Sequence, residues 1–297
     1  MSKMIEGRWE SEWKPTDEDG DGAFLRKPSV FREQLPGALP PAGRYHLFVA
    51  WTCPWAHRTL LARSLKGLTE HIPVHFSNEL TNHSWRFEDA AESLHGEGYL
   101  YELYLRADPQ YTGRITVPVL WDEHEQRIVN NESSEIVAML DTLPSAAPPL
   151  RPTHLLEEIE AWSERMYNSL NNGVYRAGFA TTPAAYHGAV EEVFQTLDEL
   201  EAHLEGRQWL VGEQVTEADI RLFVTTFRFD AAYVPIFRCN LKRLADYPNL
   251  QSHLERFYAL PGVAETCNLD AMRNGYASIP GVNPGGLLEQ FSKVLSR

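Results

Sequence analysis

No Cys-x-x-Cys pair occurs in the 297 residues, and the three cysteines, Cys53, Cys239 and Cys267, form an odd count with no zinc-ligand cluster. Structural disulfides and structural zinc are therefore not expected, and a thiol that acts here has no local second cysteine to resolve it. Basic residues are also scarce. With 27 of them against 41 acidic ones, the net charge of −14 repels phosphate backbones and anionic membranes, so a nucleic-acid partner is not expected. Long apolar runs are missing as well: none approaches the roughly eighteen residues of a membrane span, and Met1 to Trp9 has no apolar core suited to a secretory signal. The expectation is a soluble, cytoplasmic protein. A hydrophobic content of 43% argues against wholesale disorder, and at this length the chain can bury two separate cores.

One stretch organises the rest. Trp51-Thr52-Cys53-Pro54-Trp55-Ala56-His57-Arg58 follows the apolar run Tyr45 to Ala50 and leads into Leu61, Leu65 and Leu68, spaced four and three apart. The pattern predicts strand, turn and helix, with Pro54 in the first helical turn, where its missing N–H has no partner to lose. Cys53 then sits at the positive end of a helix, where unpaired N–H groups and the macrodipole stabilise a thiolate. It is the candidate nucleophile. His57, one turn on, is expected to pack or cap locally.

Downstream, Ile72 to Phe76 predicts a short strand, and Ile115-Thr116-Val117-Pro118-Val119-Leu120-Trp121 is a β-branched run interrupted by one proline. Such a proline marks either an edge strand or a cis Val117–Pro118 bond that turns the backbone of Val117 toward a ligand. Ile128 and Val129 predict a returning strand. Asn131-Glu132-Ser133-Ser134-Glu135-Ile136 opens a helix that Glu132 and Ser133 can cap, or at which they can meet a ligand. This order is that of a thioredoxin-like domain, in which the reactive cysteine, the residue before the proline and the start of the last helix converge on one cleft.

Four segments follow. Residues 1–44 form an N-terminal extension, an extended arm that Trp9, Trp13, Phe24 and Phe31 pin to the body. Within it Asp17, Asp19, Asp21 and Gly22 hint at a calcium loop, but the twelfth position is Pro28 where a bidentate Glu is needed, and no metal is expected. Residues 45–143 form the thioredoxin-like domain, and a Pro, Ala and Ser cluster at Pro144 to Pro152 marks the boundary. Residues 153–275 form an all-helical domain, on the spacing of Leu155, Ile159, Trp162 and Met166, of Val190, Val193, Leu197, Leu200 and Leu204, and on the capping-box start Thr216-Glu217-Ala218-Asp219. Residues 276–297 are a C-terminal tail, and the glycines and prolines from Gly262 onward suggest a chain laid over the surface.

Five ordered motifs carry a family resemblance: Tyr45-His46-Leu47-Phe48-Val49 with Cys53 to Arg58, Gly113 to Trp121, Asn130 to Ile136, Asn171 to Thr181, and Thr216 to Phe223. Over roughly residues 24 to 285 the chain resembles the Xi-class glutathione transferases, the glutathionyl-hydroquinone reductases. The resemblance implies the glutathione transferase fold, an α/β thioredoxin-like N-terminal domain plus an all-α C-terminal helical domain, and a homodimer. It implies that Cys53 is the catalytic thiol, that Trp85, Arg114, Val117, Glu132 and Ser133 hold the co-substrate glutathione, Val117 through its backbone, and that Tyr175 and Tyr276 hydrogen-bond the quinol oxygen in an acceptor pocket. The implied reaction reduces a glutathionyl-hydroquinone through a Cys53–glutathione mixed disulfide and releases oxidised glutathione. A general thiol transferase and a non-catalytic glutathione-fold binding module are the alternatives. One departure stands out: Ser84-Trp85-Arg86-Phe87 replaces the Gly-Trp-Pro-Phe usual in the family, and Arg86 adds a charge near the thiol donor.

Overall fold

The computed structural model describes residues 3–10, 17–18, 20–26, 28–81, 84–89 and 93–279, the side chains of 17–18 and 79–81 excepted. Trp13, Asp19 and most of the expected tail, 280–297, lie outside the described residues. In chain order the α-helices among the described residues are α1 (Pro54–Leu65), α2 (Leu100–Ala107), α3 (Ser133–Thr142), α4 (Leu156–Met166), α5 (Gly173–Gly178), α6 (Pro183–His203), α7 (Glu217–Arg228), α8 (Pro248–Tyr258) and α9 (Leu269–Ala277). They fall into two compact units. One is built from Met1–Lys14, Lys27–Pro149 and Glu265–Ser278, the other from Pro15–Arg26, Leu150–Ala264 and Ile279–Arg297. The units are thus not the continuous stretches that the composition break at Pro144 to Pro152 delimits.

The first unit is the α/β, thioredoxin-like part. Its four-stranded sheet runs in the order Arg127–Asn130, Val119–Asp122, Tyr45–Val49, Val74–Phe76. Tyr45–Val49 pairs antiparallel with Val119–Asp122, Phe48 opposite Val119, and parallel with Val74–Phe76, Leu47 opposite Val74. All five of its residues are buried, His46 among them, which is why the sequence shows Leu47, Phe48 and Val49 in succession in place of alternation. Helices α1 and α3 pack on each other, burying Leu60, Leu61 and Ala62 from one and Ile136, Val137 and Leu140 from the other. The Val117–Pro118 bond is cis, and the strand begins after it, at Val119. The proline therefore precedes an interior strand without interrupting its ladder, and the edge-strand reading does not apply.

Arg127–Asn130 ends the sheet, and the N-terminal arm covers that edge. The N–H of Glu33 donates to the carbonyl of Val129 (3.0 Å), the N–H of Asn131 donates to that of Phe31 (3.1 Å), and Arg32 bridges to Asn130. Paired in this way, the edge offers no open ladder for a second chain to join. Phe31 pins the arm through Tyr111 and Tyr104, with ring centroids 5.7 and 5.9 Å away.

Among its described residues the regular structure of the second unit is helical apart from a two-residue pairing of Asp17–Glu18 with Phe24–Leu25. Helix α6 opens with Pro183 at its first positions and Thr182 accepting the N–H of Ala185 (3.3 Å). At the head of α7 the buried Asp219 carboxylate accepts the N–H groups of Thr216 (2.9 Å) and Leu210 (2.8 Å) and meets the His253 ring (3.0 Å). No helix among the described residues is long and apolar enough to cross a membrane.

Residues 269–277 correct the sequence reading. Where the glycines and prolines from Gly262 onward suggested a chain laid over the surface, the end of the expected helical domain and the first two residues of the expected tail form one helix, Leu269–Ala277, in the first unit, capped by Asn268, which accepts the N–H of Ala271 (2.9 Å), with Met272, Gly275 and Tyr276 buried. Met272 and Tyr276, four apart, form its inward stripe. Gly275 reads in the sequence as a breaker because the close approach that requires it involves Thr52, more than 200 positions away.

Candidate active site

Cys53 is the N-cap of α1. Its backbone is extended (φ −81°, ψ 114°), which lets the chain leave the central strand and turn into the helix with Pro54 at its first position. Its N–H donates to the carbonyl of Ala50 (3.1 Å), and its carbonyl accepts the N–H of His57 (3.0 Å). The side chain makes no capping bond to the helix. It faces the cis-proline turn instead, with Sγ 3.5 Å from the carbonyl oxygen of Val117. Cys53 is half-buried and Val117 is 5% exposed, so a thiol on a helix N-terminus meets a nearly enclosed backbone carbonyl. Such an arrangement gives a sulfur nucleophile a positive helix end behind it and a backbone edge beside it.

Glu132 is the N-cap of α3. Its Oε1 accepts the N–H (3.3 Å) and hydroxyl (3.2 Å) of Ser134, and its Oε2 accepts the hydroxyl of Ser29 (3.0 Å), while Ser133 is buried. Glu132 therefore caps the helix, with the N-terminal arm supplying a hydroxyl to the same carboxylate from more than 100 positions away. Asn131 Nδ2 donates to Tyr104 Oη (3.2 Å), whose hydroxyl donates to the carbonyl of Thr116 (2.8 Å), tying the start of α3 to the segment before the cis proline. Trp85 and Arg86 lie on a short hairpin, Glu79–Thr81 with Ser84–Arg86, Trp85 half-buried and Arg86 exposed. Arg114 is half-buried on Gly113–Arg114, which pairs with Lys3 and Met4.

Tyr276 is fully buried on α9, and the residue before it brings that helix to Cys53. A Cβ on Gly275 would stand 1.7 Å from Thr52 Oγ1 and 2.9 Å from Thr52 Cβ, so only glycine lets the helix lie against the residue preceding the thiol. His57 anchors the same segment: its Nε2 lies 3.0 Å from Thr266 Oγ1 and 3.8 Å from Cys267 Sγ. Its contacts are thus long-range, where local packing or capping was expected. Tyr175 belongs to the second unit, on α5, 8% exposed among the rings of Phe237 (5.2 Å), Tyr233 (6.1 Å) and Phe179 (6.2 Å).

Residues 52–143 match the family model described as the glutathione S-transferase N-terminal domain, and residues 183–256 match that of the C-terminal domain. The chain is 47% identical to the glutathionyl-hydroquinone reductase PcpF of Sphingobium chlorophenolicum, over 97% of this chain and 95% of that one. Among solved structures it is similar to the glutathione S-transferase Xi from Phanerochaete chrysosporium (TM-score 0.88, 41% identity, 94% and 95% of the two chains covered). The chain belongs to the Xi class of glutathione transferases. This Xi-class chain is also similar to the glutathione-bound structure of YqjG, a glutathione transferase homolog from Escherichia coli K-12 (TM-score 0.83, 41% identity, 96% and 94% covered). Within the Xi-class fold, the groups that sequence reasoning missed are Ser29 on Glu132, Thr52 under Gly275 and Thr266 on His57. Each is a contact between distant segments, and a hydroxyl residue in a polar stretch gives no local sign of such a partner.

Proposed function

We propose that this chain reduces glutathionyl-hydroquinones to hydroquinones, with glutathione as co-substrate, through a mixed disulfide on Cys53. The observation that carries the reading is the Cys53 thiol at the head of α1, 3.5 Å from the carbonyl of Val117 at the cis-proline turn. In the first step the Cys53 thiolate attacks the sulfur of the glutathionyl group. Acting on the keto tautomer, whose sulfur-bearing ring carbon already carries the proton, this attack forms the S–S bond and breaks the bond from sulfur to that carbon; the electron pair passes through the ring to its oxygen, which takes up a proton, so the ring is reduced as the two sulfurs are oxidised to the disulfide. A second glutathione thiolate then attacks the glutathionyl sulfur, so that oxidised glutathione leaves and the Cys53 thiolate returns.

The site divides the ligand by chemistry. The backbone of Val117 pairs with the peptide of the glutathione cysteine. Glu132 and Ser133, at the start of α3, take the γ-glutamyl end, where a helix N-terminus favours a carboxylate and an acidic side chain favours the ammonium. Arg114 takes the glycine carboxylate, and Trp85 flanks the thiol donor. Tyr276, on the helix that Gly275 seats beside Thr52, and Tyr175 donate to the quinol oxygen as charge develops on it. The chain works as a cytoplasmic homodimer on this reading, which a mass measurement in solution and cell fractionation check. Replacing Cys53 with Ser tests the chemistry: turnover of a glutathionyl-hydroquinone, followed as hydroquinone released in the presence of glutathione, should fall to the uncatalysed rate. Undiminished turnover would remove the proposal, and turnover only of small glutathione disulfides by the unsubstituted chain would favour a general thiol transferase.

A further inference from the structure

Arg26 has no part in the reaction as laid out above, yet its surroundings are built around it. It lies in the second unit, half-buried, with its guanidinium carbon 5.4 Å from the centroid of the Tyr175 ring and 5.4 Å from that of Phe24. Its Nε donates to Asn172 Oδ1 (2.9 Å). Asn172 stands at the head of α5, where its backbone carbonyl accepts the N–H groups of Tyr175 (3.0 Å) and Arg176 (2.9 Å). One residue therefore grips the start of the helix and covers the face of the tyrosine one turn along.

The segment that carries Arg26 is fastened in the same unit. The carbonyl of Gly22 accepts the N–H (3.2 Å) and hydroxyl (3.3 Å) of Thr181, and that of Asp21 accepts the Thr182 hydroxyl (2.9 Å). Gly22 is left-handed (φ +83°), and a Cβ there would stand 2.5 Å from Thr181 Oγ1 and 2.8 Å from Thr182 Cγ2, so the docking is too close for any other residue. Phe24, 4% exposed, packs on Phe179 (5.7 Å), and Phe179 stacks on Tyr175 (6.2 Å). Partial burial between two aromatic faces removes part of a guanidinium's hydration, a cost that a solvated surface charge does not bear.

We infer that Arg26 is a positioning residue for Tyr175 in the proposed reaction, and that segment 20–26 of the N-terminal extension serves the acceptor side by delivering it. The inference rests on the role proposed for Tyr175. A phenol that donates to the ring oxygen takes on negative charge as the electron pair of the breaking carbon–sulfur bond passes to that oxygen. A cation fixed over its ring stabilises that charge and holds the ring in one orientation, and both effects act in the transition state more than on substrate binding.

The test is steady-state turnover of a glutathionyl-hydroquinone with glutathione by the full chain and by Arg26→Met, Arg26→Lys, Tyr175→Phe and the Arg26→Met/Tyr175→Phe double variant. Arg26→Met should lower kcat roughly tenfold to a hundredfold with KM for the glutathionyl-hydroquinone changed by about twofold at most, and Arg26→Lys, which keeps the cation, should recover part of the loss. In the Tyr175→Phe background, Arg26→Met should cost about threefold or less, because the group it positions is gone. An unchanged kcat, a rise in KM alone, or losses that multiply in the double variant would overturn the inference and leave the proposed function standing. Absence of turnover in the unsubstituted chain would overturn both. If Arg26→Met melts below the assay temperature, Arg26→Lys in the two Tyr175 backgrounds gives the same comparison: a loss confined to the background that retains Tyr175 supports the inference, and an equal loss in both overturns it.

Discussion

Identical functional groups in this chain are set apart by their surroundings. Cys53 stands half-buried at a helix head, whereas Cys239 has no exposed surface and burial pushes its thiol up to about 12, where it is neither a nucleophile nor a metal ligand at neutral pH. Histidines differ in the same way. The carbonyl of Gly43 can only accept, so His46 must donate to it from Nε2 (2.9 Å), and its Nδ1 then accepts from Nε2 of His75 (2.9 Å). Burial holds the pKa of His46 below its ordinary value, with His95 acting in the same direction and Glu123 and the Gly43 carbonyl against it. A histidine whose folded-state pKa is depressed binds fewer protons folded than unfolded. Its contribution is complete above the unfolded-chain value near 6.5 and is lost as pH falls from about 6.5 toward and through the folded-state value. Urea midpoints should therefore drop between about pH 7.5 and pH 5.5, and drop less in His46→Asn. A midpoint that is flat or rises on acidification, or the same drop in both chains, would contradict this reading.

The elements closest to the site differ in how far the sequence announces them. Tyr45–Val49, α1 and the cis-proline turn are legible because each rests on local signals: the mainly apolar stretch from Tyr45, a leucine stripe, Pro54 at a helix start, and Pro118 within a β-branched run. The start of α3 is legible too, since Glu132 caps it within two residues. Helix α9 is not, because its reason for being a helix is distributed: an Asn cap, a two-residue stripe, and a glycine whose partner is Thr52. The arm covering Arg127–Asn130 is hidden for the same reason, its bonds being backbone groups that any sequence carries. Gly275→Ala tests the α9 reading. A methyl group 1.7 Å from Thr52 Oγ1 cannot be accommodated without moving the helix, so thermal unfolding should show a loss of about 1–3 kcal/mol or more, with lowered turnover. An alanine variant as stable and as active as the parent would show that α9 does not rest against Thr52.

At the scale of the whole molecule, the residues named in the proposed reaction fall in both units. The first holds Cys53, Val117, Glu132 and Tyr276, and the second holds Tyr175 with Arg26. Each unit takes in its own piece of the N-terminal extension: residues 28–33 run along the sheet edge of one, and 20–26 dock on the Thr181 and Thr182 corner of the other. The net charge of −14 works against association with a nucleic acid or an acidic membrane. On the proposed mechanism, with no Cys-x-x-Cys pair in the sequence, the thiol that discharges the mixed disulfide comes from a second glutathione. The most direct test is to mix the protein with one equivalent of a glutathionyl-hydroquinone in the absence of free glutathione, quench in acid, and measure the intact mass and the mass of each cysteine peptide. One hydroquinone should be released per chain and one glutathionyl group should appear on the peptide containing Cys53, which later glutathione removes as oxidised glutathione. Hydroquinone released with Cys53 unmodified, or a glutathionyl group on Cys239 or Cys267 in its place, would contradict it.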